Sequence, residues 1–326
     1  MLKKLIDLNA YPVAKYLKNL LVDKTTKKNI VFATESYSDK GSDYKPECQM
    51  TEALLKNIEI QPRIAKAQAE QNQRTRKKAE VFTPAWLCCK MNNHCDSEWF
   101  NKENVFNIMD GEKWISTKGP VTFSQKKTWK NYVDSRRLEI TCGEAPYVVS
   151  RYDASTGEMI DLNDRIGILD RKLRVVNENT GTREEWFKWT LRAFQSVYGY
   201  EWQGDSLLIA RINLLMSFID YYQARWGEDN KDEEFEKTLK QIVNVITWNF
   251  WQMDGLKGTI PFGSEKNISK KPVQSNIFMM GWNLGVDNED EMRKIFESTS
   301  VIEQKCRIFD WRSKQSVQYS SLQKGE

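Results

Sequence analysis

The chain has 326 residues, 49 Lys+Arg against 45 Asp+Glu for a net charge of +4, 40% hydrophobic residues, 29% charged residues and 8 prolines. That is enough for two domains, or one large domain with appendages, and too mixed for a disordered acidic tail, a histone-like polycation or a low-complexity linker. Six scattered cysteines do not make a disulfide scaffold and suit a reducing cytoplasm. The single histidine, His94, excludes multi-histidine metal sites, and no run of about 18 apolar residues exists to span a bilayer.

In chain order, residues 1–22 carry Leu2, Leu5, Ile6, Val13, Leu17, Leu20 and Leu21 at near-helical spacing. This reads as an amphipathic helix, since Lys15 and Lys18 interrupt the apolar stretch a signal peptide needs. Ile30–Ala33 reads as a short buried strand and residues 50–78 as helical, ending in the basic run Arg74, Arg76, Lys77 and Lys78. Such a run is ordinarily a solvated helix face, and is also what neutralises a nucleic-acid backbone. Thr83 and Pro84 read as N-cap and first residue of the next helix. Gly119-Pro120 reads as a hairpin turn within 111–124, and residues 136–142 as a strand running into Gly143.

The stretch 150–180 is polar and hard to place. Beyond it, Thr182 to Glu185 is a capping box opening a helix with Trp186, Trp189, Ala193 and Phe194 on one face. Tyr198–Trp202 reads as a strand, followed by a helix that starts at Asp205 and stops at Gly227. A charged helix over Asp232–Gln241 precedes a third strand, Ile242–Trp248. Residues 264–275 read as a linker, and the segment from Cys306 to Leu322 as two short strands. Strands alternating with helices predict an α/β fold with a parallel sheet, whose ligands bind beyond the carboxyl ends of the strands. Three loops follow those strands. The first, from Glu139 through Cys142 and Gly143 to Ala145, holds a carboxylate suited to a cationic ligand group and a glycine that lets a ligand approach the backbone. It is neither a dinucleotide fingerprint nor a Walker loop. The second places Glu201 at a strand end, where an acid can accept both ribose hydroxyls; the third holds Asp254, placed to accept from an exocyclic amine.

Read together and in this order, AEVFTP (79–84), LEITCGEAPY (138–147), YGYEWQGDSLLIARINLL (198–215) and NFWQMDGL (249–256) resemble the motifs of S-adenosylmethionine-dependent adenine-specific DNA methyltransferases, of the type II restriction–modification kind that fuses cleavage and methylation. The resemblance covers about residues 60–262 and implies a Rossmann-like methyltransferase sheet with an N-terminal helical region. The implied divisions are a mainly helical region over 1–110 with the FTP motif, a cofactor-binding domain over 111–263, and a linker with C-terminal strands over 264–326 that forms a subunit interface. It further implies that Phe82, Thr83 and Pro84 line the methionine end of S-adenosylmethionine, that Glu139 binds its amino group, and that Cys142, Gly143 and Ala145 form the turn beneath it. Glu201 would bind the ribose, Trp202 would pack on the adenine, and Asp254 would accept from the adenine amine. Two departures stand out. Ala145 occupies a position where many members have a second glycine, and 58 residues separate Gly143 from Glu201 (201 − 143), which marks 150–180 as an insertion.

A larger departure is the catalytic Asn/Asp-Pro-Pro-Tyr/Phe motif, whose polar side chain holds the amine of the flipped adenine and whose ring stacks on it. All 8 prolines here are isolated. The expectation is therefore one subunit of a split enzyme, active on double-stranded DNA only with a second polypeptide that carries the catalytic and target-recognition parts. It would be cytoplasmic, in a restriction–modification or phage-defence system. A degenerate methyltransferase-like protein that binds DNA or a partner as a scaffold is the alternative. Cys88, Cys89, His94 and Cys95 lie close together but match no common zinc spacing, and no paired-acid-plus-lysine nuclease pattern is evident.

Overall fold

The computed structural model describes residues 5–65, 83–228, 231–264 and 303–322. Its centre is a three-stranded parallel sheet in the order β3-β4-β5, made by β3 (Arg137–Glu139), β4 (Val197–Glu201) and β5 (Phe250–Gln252). Before it come α1 (Val13–Leu20), α2 (Glu52–Leu55), α3 (Ala85–Phe100), the antiparallel hairpin β1 (Asn107–Asp110) and β2 (Lys113–Ser116), and α4 (Trp129–Asp134). Helices α5 (Ile168–Asn179) and α6 (Arg183–Gln195) connect β3 to β4, and α7 (Gly204–Trp226) and α8 (Glu233–Asn249) connect β4 to β5. Two further antiparallel pairs follow, β6 (Thr259–Ser264) with β7 (Glu303–Lys305) and β8 (Arg307–Asp310) with β9 (Gln315–Gln318). The protein is thus of mixed α/β class.

Side chains alternate across a strand, and here each face has its own apolar cluster. Val197 and Phe250 join the main core, which runs through Phe194, Leu208, Ile212, Leu239 and Ile246 of the helices and out to Leu17 and Leu20 of α1. Tyr198, Tyr200 and Trp251 point the other way, onto Cys306, Ile308 and Tyr319 of the C-terminal segment. Gly199 sits in β4 because a Cβ there would lie 2.7 Å from the Phe250 ring and 3.2 Å from the Cys142 sulfur. Arg211 of α7, fully buried, donates from Nε and Nη2 to the Phe250 carbonyl (2.9 and 2.7 Å) and from Nη1 to the Leu20 and Val22 carbonyls. Burial pushes its pKa down to about 10, so it stays charged at neutral pH.

Several expectations are corrected. Ile242–Trp248 is not a strand: it belongs to α8, and β5 begins only at Phe250. Phe235, Leu239, Ile242, Val243 and Ile246 are all buried at helical spacing, and Asp232 caps their N-terminus by accepting from the Phe235 N–H; this stripe overrides the strand preference of a β-branched run. The hairpin turn lies at Gly111, with φ +59°, and not at Gly119-Pro120. Among the described residues before Thr83, α-helix is confined to Val13–Leu20 and Glu52–Leu55, residues 66–78 of the expected 50–78 helix lie outside the described residues, and Ile30–Ala33 makes only an isolated bridge, Val31 to Gln49. Pro84 is the N-cap of α3 and not its first helical residue. The polar stretch 150–180 contains α5, whose Leu169, Leu173, Val175 and Val176 are buried. No helix among the described residues is long and apolar enough to cross a membrane.

Candidate functional site

At the carboxyl end of β3 the chain turns through residues 140–145. Thr141, Gly143 and Ala145 all have positive φ (+48°, +54° and +64°), a region that costs a non-glycine residue about 1–2 kcal/mol. The turn is held by backbone bonds from Cys142 N–H to the Tyr200 carbonyl (2.8 Å) and from Ala145 N–H to the Cys142 carbonyl (2.7 Å). Cys142 is buried beneath it. A Cβ on Gly143 would meet nothing, so glycine is needed there for its φ alone.

Glu201, at the end of β4, clamps this turn to the next loop. One carboxylate oxygen accepts the Gly143 N–H (2.8 Å); the other accepts the N–H groups of Trp202 (2.9 Å) and Gln203 (3.0 Å). A carboxylate offers about four acceptor positions, and backbone donors take three of them. Glu139 differs. Its carboxyl is buried and accepts the Tyr147 N–H, but Oε2 has no partner among the described residues. Burial pushes its pKa well above the usual carboxylate range. The Tyr147 N–H opposes that rise and the nearby Glu201 charge adds to it.

Tyr147 joins this carboxyl to α3. Burial raises the pKa of its hydroxyl, which shares a hydrogen bond with the Thr83 side chain, just before the helix. Its carbonyl accepts from Asn92 (2.9 Å) on the same helix. Asp153 accepts the Ala85 N–H (3.0 Å), the first in α3, and lies with Glu139 near the buried Cys88 thiol. Thr83, Pro84, Glu139, Cys142, Gly143, Ala145 and Glu201 are therefore brought together at one edge of the sheet. Tyr147 and Asp153 were missed by sequence reasoning: the first stands within the quoted LEITCGEAPY motif, whereas the second lies in the polar stretch that offered no periodicity.

Beyond β4 the Trp202 ring is partly exposed and packs against Phe262, with centroids 5.6 Å apart. Met253 N–H donates to the Glu201 carbonyl (3.0 Å), which draws the third loop alongside. Asp254 uses one oxygen to cap its own turn, accepting from the Leu256 and Lys257 N–H groups (3.0 and 3.1 Å). Phe82 and the basic residues Arg74, Arg76, Lys77 and Lys78 lie outside the described residues. His94 is exposed beside Glu98 on α3, and no group of metal-ligating side chains occurs among the described residues.

Comparison with models of protein families, with curated proteins and with solved structures gives no match to this chain.

Proposed function

We propose that this chain is the S-adenosylmethionine-binding subunit of an adenine-specific DNA methyltransferase with a Rossmann-like sheet. It would act on double-stranded DNA in the cytoplasm, as part of a restriction–modification or phage-defence system. The observation that carries the reading is the buried Oε2 of Glu139, without a partner among the described residues, at the carboxyl end of a parallel strand, beside Glu201. An orphan acidic oxygen costs free energy until a donor arrives, and an ammonium group supplies one. The residue set fits the cofactor at its methionine end: Glu139 would hold the amino group, with Thr83, Pro84 and Tyr147 around it. Trp202 would give an apolar face for the adenine and Asp254 an acceptor for its amine.

When bound, S-adenosylmethionine supplies a methyl group activated by a sulfonium centre. This chain's part is binding and orientation, because its 326 residues contain no Pro-Pro pair with which to hold and stack a flipped adenine. The second polypeptide supplies that part, and Arg74, Arg76, Lys77 and Lys78 would add phosphate contacts. One observation favours the scaffold alternative. Glu201, the expected ribose acceptor, already serves three backbone donors, as it would if its role were only to hold loops. Calorimetry separates the two readings. The cofactor subunit binds S-adenosylmethionine, with binding lost in Glu139→Gln; the scaffold binds none.

A further inference from the structure

We propose that a strand of a second polypeptide docks on the free edge of β3. The proposal rests on the functional reading for the existence of that polypeptide, and on the geometry of β3 alone for where it attaches. In a parallel ladder alternate residues turn their N–H and C=O to opposite sides. Arg137 N–H donates to the Ser196 carbonyl (2.9 Å) on the β4 side, so the Leu138 N–H and C=O and the Ile140 N–H point to the outer side. No strand lies there among the described residues. Both side-chain faces of β3 are unfinished as well. Leu138 is 45% exposed although its register partner Tyr198 is only 9% exposed, and Ile140 is 64% exposed although Tyr200 is 7% exposed. The C-terminal segment covers this face at β4 and β5 and reaches Arg136, just before β3, through Asp310 (2.9 Å), and Leu138 is not in its apolar cluster. On the opposite face Arg137 Nη2 is buried without a hydrogen-bond partner among the described residues.

These observations describe the occupant. Arg137 lies near the buried Lys172 side chain, whose pKa burial, and then the Arg137 charge, push well below the usual lysine range, and which already donates to the Val133 and Ser135 carbonyls and the Ser196 hydroxyl. With those acceptors taken, the buried Nη2 of the Arg137 guanidinium calls for an acidic or carbonyl oxygen. The other face calls for large apolar side chains over Leu138 and Ile140. A strand that alternates a carboxylate with large apolar residues meets both, and a long, buried interface can form around it. Two copies of a three-residue edge bury too little for that, since stable interfaces need about 1,200–2,000 Å² in total. The edge also adjoins the turn at 141–145, so the docked strand would begin beside the cofactor site.

Photo-crosslinking in the native cells tests this. A benzophenone amino acid replaces Leu138 or Ile140 in the full chain, with Ile108 and Ile115, which are 51% and 65% exposed on the β1–β2 hairpin, as controls. We expect adducts at 138 and 140, and not at 108 or 115, to one other polypeptide, mapped to a segment with the stated alternation. We also expect Leu138→Lys to cut co-purification of that polypeptide at least tenfold with an unchanged circular dichroism spectrum. Absence of adducts, adducts only within this chain or to a second copy, or undiminished co-purification of the Leu138→Lys chain would overturn the docking site. A complex that crosslinks as expected but neither binds S-adenosylmethionine nor methylates DNA removes the functional reading and leaves the docking site standing. A methylating complex without these adducts does the reverse.

Discussion

The two edges of the parallel sheet are finished in different ways. At β5 the chain closes the sheet itself. Arg211 donates to the Phe250 carbonyl, and the Gln252 amide exchanges two hydrogen bonds with the Val31 backbone (2.9 Å each), standing in for a neighbouring strand. The C-terminal segment covers Trp251 from the other side. At β3 no strand lies on the outer side among the described residues, Leu138 and Ile140 are exposed, and Arg137 Nη2 and Glu139 Oε2 have no hydrogen-bond partner there. An open edge is a liability that folds normally blunt, and this one is where the proposed partner strand would dock. Ile242–Trp248, read from the sequence as a third strand, is helix and offers no sheet edge, and the terminal strands pack on β4 and β5.

The largest expected effect is at the closed edge. Arg211→Met leaves the carbonyls of Phe250, Leu20 and Val22 without their donor, and at about 1–3 kcal/mol for each unsatisfied buried group it should destabilise by at least about 3 kcal/mol. Thermal denaturation checks this, and a loss under 1 kcal/mol would break the contrast. Leu138→Ala, at the open edge, should change the stability of the isolated chain by no more than about 0.5 kcal/mol, as for an ordinary surface site. Between these lies Tyr147→Phe, which removes only the hydroxyl that Thr83 bonds. It should weaken S-adenosylmethionine binding by about 0.5–1.5 kcal/mol and leave adenosine binding unchanged, because on the proposed reading Tyr147 would lie at the methionine end; equal loss for both ligands would show a merely structural role.

Much of this layout was legible in the sequence. The strand ending at Glu201, the long helix stopping at Gly227, the Thr182 cap and the terminal strand pair all follow from capping and periodicity, and the structure has them. Two kinds of feature were not legible. A β-branched run such as 242–247 reads as strand or helix until packing decides, and it packs as a helix here. The roles of Arg211, Tyr147 and Asp153 depend on contacts between residues distant in sequence, which no local pattern carries. For the site, the sequence marked Glu139 and Glu201 alike; only the structure separates the acid satisfied by backbone donors from the one left wanting.

That difference gives the measurement that bears most directly on the account: calorimetry of S-adenosylmethionine with the isolated chain and its Glu139→Gln variant, paired with thermal melts across pH. Glu139 has a folded pKa above its unfolded value. Its contribution to stability is therefore full below the unfolded value and is lost as pH rises through the folded one. Glutamine in its place should raise the stability of the unliganded chain at pH 8 and weaken binding at least tenfold, or about 1.4 kcal/mol. Wild-type affinity should increase with pH as the carboxyl ionises. Stability and binding should thus respond to Glu139→Gln with opposite signs. No binding by the wild-type chain, or binding that Glu139→Gln leaves unchanged, would contradict it.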